Sequence, residues 1–237
     1  MNANGSNAIG TRAINRRKVL GGGLSAAVLV ALPACATTGS TLSMTEVIRR
    51  LLLRASENAF ARLTAPDGYW DEQVARIGLG SLLGTRGDTL TRVLTSTLFK
   101  DRLETVFADI AIEGSYAAAP IVRDAVEIIG PAAAFELVRG GPQAATEALR
   151  GELGGRLIDE MVPELGDAIR IANDPLVAEL LNAATGTDIG GIAGRLAGTI
   201  DSAIWSEIGR EEAAIRANPE TTRDPVLIGV FGAAARI

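Results

Sequence analysis

The sequence predicts an all-α fold, in which a single multi-helix globular domain follows a cleaved N-terminal signal peptide. From position 44 onward, apolar residues recur at the three-to-four-residue spacing of an α-helix. Gly-Pro, Asp-Pro and Asn-Pro pairs interrupt this pattern and are typical of helix ends. No segment alternates apolar and polar residues over a length that would support a β-strand.

Residues 1–34 have the composition of a signal peptide. A basic cluster that contains Arg16 and Arg17 precedes a short apolar segment, residues 19–32. This segment is too short to cross a bilayer of about 30 Å as a helix, so we expect it to be removed. Arg16 and Arg17, followed by Leu20, resemble a twin-arginine export signal, and an ordinary secretory signal is the alternative.

Cys35 is the only cysteine of the chain and stands where the signal peptide ends. Together with residues 32–34 it resembles a lipobox, whose cysteine receives a diacylglycerol and becomes the new N-terminus. The alternative is cleavage between small residues, which would release a soluble periplasmic protein. Because Ala36 rather than an aspartate follows Cys35, we expect a periplasmic protein anchored by its lipid to the outer membrane. Residues 35–43 are small and polar and are predicted to form a flexible tether.

The α-helical domain is predicted over residues 44–237. Ser43 and Glu46 form a capping box at its start, in which each side chain would satisfy a first-turn amide. The predicted segments are, in order, a helix over 44–63, a short helix and loop over 69–86, a long helical stretch over 89–129, a helix from 131, a helix over 142–171, a shorter helix over 175–185, a long helix over 188–217 and a short segment over 224–232.

Prolines and glycines are expected to divide these helices. Pro120 should kink or split the long stretch, because it has no amide hydrogen and clashes with the preceding turn. Pro131 and Pro142 each follow a glycine and are predicted to occupy the first position of a helix. Residues 154–155, a glycine pair, and Pro163 should disturb the helix that follows.

The last long helix carries a stripe of small residues. Gly190, Gly194 and Gly198 recur every fourth residue and are continued by two serines. Such a stripe lets another helix approach closely. We interpret it as a helix crossing inside the domain or, alternatively, as a face for self-association or for a ligand. Charged residues along the same helix argue against a membrane span.

Charge and composition exclude several classes of function. Removal of residues 1–34 takes away four basic residues and no acidic ones, so the formal net charge changes from −5 to −9. This charge argues against nucleic acid as a partner. The chain contains no histidine, and its one cysteine is expected to be acylated. Ser-His and Cys-His nucleophile pairs are therefore excluded, and the usual zinc, copper and haem ligands are missing, so we predict neither cofactor nor metal.

Asp109 and Glu113 are the first candidate polar site. They are four residues apart and therefore share one face of a helix. Paired carboxylates can serve acid–base chemistry or hold a hard cation such as calcium. The alternative is a face that is solvated or paired with arginines.

A second candidate site lies at the glycine-rich turn over residues 140–142. A helix that starts there offers free amides, which can hold an anion, and Thr146 and Arg150 lie one turn apart on that helix. The alternative is a tight connection between two helices. Glu212 and Arg216 are also four residues apart, in the favourable order for an ion pair, and a structural use is expected for them.

Four groups of residues carry a resemblance to a known family. They are Asp67-Gly68-Tyr69 with Arg76-Ile77, Ala119-Pro120-Ile121 with Ala125, Gly140-Gly141 with Ala144-Ala145-Thr146 and Leu149-Arg150, and Ile208 with Glu211-Glu212, Ile215-Arg216, Pro219 and Val230-Phe231-Gly232. In this order and spacing they resemble the bacterial domain-of-unknown-function family numbered 4197, over about residues 45–232. The resemblance implies a secreted or lipid-anchored, all-helical protein of gram-negative bacteria, without an assigned activity.

We therefore predict an envelope lipoprotein whose domain is a non-enzymatic binding or scaffold module, with the membrane as a partner through the N-terminal lipid. Two alternatives remain open. A carboxylate-dependent hydrolase or lyase acting on an envelope polymer would need two carboxyl groups about 5–10 Å apart in a cleft. Binding of an apolar ligand between helices would need an internal cavity of several hundred Å³.

Overall fold

The described part of the chain consists of three stretches. In the computed structural model these are residues 43–83, 96–171 and 189–234. The predicted signal peptide with Arg16 and Arg17, the predicted lipidation residue Cys35 and the predicted helix over 175–185 lie outside the described residues.

Helices make up most of the described residues. They are α1 (Met44–Leu63), α2 (Tyr69–Ile77), α3 (Leu79–Leu83), α4 (Thr97–Glu127), α5 (Pro131–Arg139), α6 (Ala144–Leu153), α7 (Arg156–Ile171), α8 (Ile189–Ala217), a 3₁₀ helix (Pro219–Thr222) and α9 (Pro225–Ala234). No strand occurs in these three stretches, and the helices belong to one compact unit. The predicted all-α class and single helical domain are thereby confirmed.

The core lies between α1, α4, α7 and α8. Helix α8 packs against α7 and α1, and α1 packs in turn against α4 and α5. Two further helices pack on this core: α6 contacts α8, and α2 contacts α4. The largest fully buried side chains are Trp70, Phe107, Ile48, Leu51, Leu52, Leu63, Leu82, Leu103, Leu149, Leu157 and Met161.

Helix α1 begins where the sequence predicts. The hydroxyl of Ser43 accepts a hydrogen bond from the amide of Glu46 at 3.2 Å, and the predicted apolar face is buried. The reciprocal half of the predicted capping box is replaced by another contact. The carboxylate of Glu46 accepts a hydrogen bond from Nε of Arg50 at 2.7 Å, so it supports the first turn as an ion pair.

Helix α4 runs through Pro120 without ending, so of the two expected effects, a kink or a division, the division is wrong. Pro120 deprives the carbonyl of Tyr116 of its usual donor. Both residues are exposed, and water can therefore satisfy that carbonyl.

By length and composition alone, Phe99–Glu127 of α4 is long and apolar enough to cross a membrane. This is weak evidence for a membrane span, because the helix packs in the core of the domain.

The turns on either side of α6 decide its boundaries. Pro131 stands at the start of α5 as predicted, whereas Pro142 lies in the preceding turn and α6 begins at Ala144. Gly154 has a φ of +54°, which ends α6 and separates it from α7. Pro163 is accommodated inside α7. The helix predicted over 142–171 is therefore divided into two at the glycine pair, where a disturbance is predicted, and the disturbance predicted at Pro163 does not end the second helix.

Candidate functional site

The start of α6 is closed by a carboxylate from a distant helix. Glu212 of α8 is fully buried, and its Oε2 accepts hydrogen bonds from the amide of Thr146 at 2.7 Å and its hydroxyl at 2.6 Å. The amide of Ala145 donates to Oε1 at 3.1 Å. First-turn amides have no acceptor within their own helix, and the helix dipole favours an anion beside them. Glu212 therefore satisfies the N-terminus of α6.

Arg216 neutralises Glu212 inside the same buried site. Its Nε and Nη2 lie 2.8 and 2.7 Å from Oε1 of Glu212. Nη2 and Nη1 also donate to the carbonyls of Leu137 and Val138 in the last turn of α5, at 2.8 and 3.0 Å. The guanidinium lies over the ring of Phe231 of α9, 4.9 Å from its centroid. The predicted ion pair is confirmed, and this Glu212 cluster (Glu212, Arg216, Ala145 and Thr146) joins α5, α6, α8 and α9.

The glycine-rich turn over residues 140–142 brings α5 and α6 close together. A Cβ atom built on Gly140 would lie 2.5 Å from Cβ of Ala144, which is closer than real Cβ atoms come. A groove of about 560 Å³ opens beside this turn, between Pro142 and Phe231. The amides that the sequence offers to an anion are occupied by Glu212, so the anion at this helix start belongs to the chain itself.

A second buried carboxylate of α8 binds Trp205 and Arg150. Asp201 is 5% exposed, and its Oδ1 accepts a hydrogen bond from the indole N–H of Trp205 at 2.7 Å. Its Oδ2 accepts one from Nη2 of Arg150 at 3.1 Å. Thr146 and Arg150, which share one candidate site in the sequence, thus bind two different carboxylates of α8, Glu212 and Asp201.

A third buried carboxylate, Glu207, binds two arginines. It accepts hydrogen bonds from Nε and Nη2 of Arg210 at 3.0 and 2.7 Å, and Nε of Arg62 lies 3.4 Å away. The hydrogen bond from Arg210 to Glu207 outweighs the desolvation of the guanidinium and raises the pKa of Arg210 above its ordinary value. Glu207 therefore has a permanently charged partner.

Asp109 and Glu113 stand on the outer face of α4. Both are exposed, and neither makes a hydrogen bond or an ion pair with the described part of the chain. Neither lines the groove beside Pro142, the groove beside the small-residue stripe of α8, or the pocket between α4, α5 and α6. Within residues 43–83, 96–171 and 189–234, no group of three or more acidic, cysteine or histidine residues could hold a metal ion.

No described residue packs against the three glycines of the small-residue stripe on α8. A Cβ atom built on Gly190, Gly194 or Gly198 meets no described atom within 4 Å. A groove of about 460 Å³ beside the stripe is lined by Tyr69, Gln73, Ile77, Arg195, Gly198, Thr199, Ser202, Ala203 and Ser206. The described residues therefore show no helix crossing at the three glycines, and self-association through this face stays a prediction.

A mainly aliphatic opening, the apolar pocket, lies between the end of α4, α5 and α6. Its volume is about 220 Å³, and Ile128 at its edge is 75% exposed. Two charged side chains, Glu152 and Arg156, line it, are exposed and have no ion-pair or hydrogen-bond partner in the described residues. The lining consists of Ala125, Ile128, Ile129, Gly130, Leu137, Ala148, Leu149, Glu152, Leu153 and Arg156.

The sequence contains the parts of these sites but not their connections. The turn over residues 140–142 and the Glu212–Arg216 spacing are both visible, but nothing along the chain links residues that are 66 positions apart. Asp201 and Trp205 are four residues apart, a spacing that indicates a contact on one helix face. The apolar pocket has no comparable signal, since three helices form it only after they have packed.

One protein family matches nearly all of the helical domain. The family model described as "Protein of unknown function (DUF4197)" matches residues 38–232, a span that includes almost all of the described residues. No curated protein and no solved structure matches the chain.

Proposed function

Because this chain belongs to the DUF4197 family, whose description assigns no activity, we propose a function from its own residues. We propose that it is an exported envelope lipoprotein, anchored through Cys35 to the outer membrane, whose helical domain binds a ligand or partner without chemical turnover. The proposed export route is the twin-arginine route, through Arg16 and Arg17.

The observation that supports binding rather than catalysis is that the buried carboxylates of α8 are bonded within the chain itself. Glu212, Asp201 and Glu207 are each held by donors from the chain itself, over distances of 2.6 to 3.4 Å. A general acid or base must reach substrate from a cleft. In the described residues these three acids instead join helices, and the exposed pair Asp109 and Glu113 lies outside the described openings. A carboxylate-dependent hydrolase or lyase gains no support from this arrangement.

The proposed address rests on the N-terminal sequence. A diacylglycerol on Cys35 would hold the start of α1 near the membrane, since the nine residues 35–43 span at most about 30 Å when fully extended. The domain would then work within a short distance of the bilayer surface. The large negative charge of the mature chain opposes direct adhesion to anionic lipid, so the covalent anchor would supply the attachment.

A second candidate function, binding of an apolar ligand between helices, is favoured by the apolar pocket only for a small or narrow ligand, because the pocket is smaller than the internal cavity of several hundred Å³ that a larger ligand would need. It has about 220 Å³ of space, and Ile128 leaves three quarters of its surface exposed at the edge. A concave opening that is lined mainly by aliphatic side chains and has a few charged groups is the usual form of a small-molecule site. This candidate is a specific form of the binding role.

The anchor is tested by fractionation and mass spectrometry of the protein made in a gram-negative cell. We expect the natural protein in the outer-membrane fraction, with an N-terminal peptide that begins at an acylated Cys35. Cys35→Ala should lose membrane retention, whereas Thr37→Ala, a matched change in the tether, should not. An unmodified N-terminus beyond residue 36, or outer-membrane retention of Cys35→Ala, would contradict the proposal.

The export route and the absence of turnover have their own tests. Replacement of Arg16 and Arg17 by lysines should block export by the twin-arginine route, and normal export would assign the general secretory route instead. Crosslinking in the envelope should capture partners equally well for the natural chain and for Asp109→Asn combined with Glu113→Gln. Degradation of an envelope polymer that depends on those two acids would replace the binding role with an enzymatic one.

A further inference from the structure

We propose that the apolar pocket binds the alkyl chain of a zwitterionic single-chain amphiphile, with Arg156 facing the anionic part of its head group and Glu152 the cationic part. This inference rests on the proposed binding function and gives that function a ligand class.

The size and chemistry of the pocket favour one unbranched alkyl chain. An engineered apolar cavity of about 150 Å³ binds benzene, and on that scale 220 Å³ has room for about nine carbon atoms. The described lining offers alanine, isoleucine and leucine side chains and no aromatic ring on which a flat ligand could stack. A flexible saturated chain adapts to such walls.

The edge of the pocket extends the apolar surface outward. Ile128 is the most exposed of the large hydrophobic residues in the described part of the chain, at 75%. The upper methylene groups of a bound chain would cover it and shield it from water. Each buried methylene group should strengthen binding about fourfold until the pocket is full.

The charges at the edge favour a zwitterionic head group. Glu152 lies in the last turn of α6 and Arg156 begins α7, with the break at Gly154 between them. Neither is paired within the described residues, so both are available to a ligand. A purely anionic head group would face Glu152 and a purely cationic one would face Arg156, whereas a zwitterion offers each a partner. Because both side chains are exposed, each contact should contribute a factor of about five at most.

The chain-length test uses the full-length chain with Cys35→Ala, purified without detergent. Monoacyl phosphoethanolamines with chains of 6 to 14 carbons are titrated below their micelle-forming concentrations and followed by calorimetry. We expect Kd to fall about fourfold per methylene group and to level off near nine or ten carbons. Absence of binding at millimolar concentration by the compounds with 6 to 10 carbons, or affinity that still rises from 12 to 14 carbons below micelle formation, would overturn the proposal.

The location test fills the pocket. Ala148→Leu places three more carbon atoms in the space and should weaken binding at least tenfold. Ala214→Leu makes the same change on the exposed face of α8 and should bind like the parent chain. Ile128→Ala, at a position whose side chain is 75% exposed, should weaken binding several-fold. Circular dichroism checks that each variant is folded, and parent-like binding by folded Ala148→Leu or by Ile128→Ala would exclude this pocket as the site.

The head-group test compares three compounds with 10-carbon chains: the monoacyl phosphoethanolamine, which is the zwitterion, decanoate, which is anionic, and decylammonium, which is cationic. The parent chain should bind the zwitterion best, Arg156→Ala should shift the preference toward decylammonium, and Glu152→Ala should shift it toward decanoate. Arg123→Ala, an exposed arginine on α4 outside the pocket, should leave the order unchanged. Equal affinities for the three head groups would overturn the assignment of the charged residues.

These outcomes are separable from failure of the proposed function. Acylation of Cys35 in cells together with no amphiphile binding would refute the ligand class and leave the tethered binding role standing. Binding by the Cys35→Ala chain but not by the acylated chain would assign the pocket to the acyl group of the chain itself and overturn the proposal of a free ligand.

Discussion

Replacement of Glu212 by alanine is expected to destabilise the domain by about 4 kcal/mol. The change leaves the guanidinium of Arg216 buried with two carbonyls but without its anion. Removal of one member of a buried ion pair costs about 3–5 kcal/mol, because the other charge stays buried. Loss of a helix cap costs about 1 kcal/mol more, at the amides of Ala145 and Thr146. The two losses share the same atoms and should not add fully.

The measurement is urea unfolding followed by far-ultraviolet circular dichroism in the Cys35→Ala chain. With a slope of about 2–3 kcal/mol per molar urea, the midpoint should fall by about 1.3–2 M. Glu72→Ala is the matched control, since Glu72 and Arg76 of α2 have the same spacing but lie 3.9 Å apart with side chains 81% and 69% exposed. The control should change stability by less than about 0.5 kcal/mol.

Two results would refute the reasoning about Glu212. A loss of less than about 1 kcal/mol for Glu212→Ala would mean that the cluster does not hold the helices together. Additive effects of Glu212→Ala and Arg216→Ala in the double variant would show that the two side chains act independently, although they share hydrogen bonds in the structure.

Three further changes are measurable by thermal unfolding. Gly140→Ala should destabilise the domain by about 1–3 kcal/mol, because its Cβ would clash with Ala144, and an unchanged melting temperature would contradict the tight turn. Gly194→Ala should stabilise it by about 0.5–1 kcal/mol, since its Cβ meets no described atom and alanine favours a helix; destabilisation, or loss of a dimer in sedimentation, would show that the face is occupied. Trp70→Phe should cost about 1–2 kcal/mol through the lost indole hydrogen bond to Ser115 at 3.1 Å, and a neutral effect would argue against that bond.

The helices themselves could be predicted because they depend on local patterns. The capping residue Ser43, the apolar face of α1 and the start of α5 at Pro131 follow from spacing and from backbone chemistry. Pro120 does not divide α4, and both Pro120 and Tyr116, whose carbonyl loses its usual donor, are exposed residues to which water has access. A proline pattern alone does not reveal which side of a helix will be buried.

The sites were less predictable because they join distant segments. The sequence indicates an anion-binding helix start near Thr146 and an ion pair at Glu212, but it does not indicate that one carboxylate serves both. The apolar pocket depends on how α4, α5 and α6 are placed, which single-residue patterns do not encode. Asp109 and Glu113 attract notice in the sequence because both are acidic and stand four residues apart, yet both are exposed and neither has a hydrogen-bond or ion-pair partner among the described residues.

The carboxylate of Glu212 should also slow hydrogen exchange at the start of α6. First-turn amides of a helix usually exchange their hydrogens quickly with solvent, because nothing in their own helix accepts from them. Here the amides of Ala145 and Thr146 donate to a side chain with no solvent exposure, so deuterium should enter them only when α6 separates from α8. The beginning of α6 should therefore be among the slowest-exchanging parts of the protein, although it directly follows an exposed glycine turn.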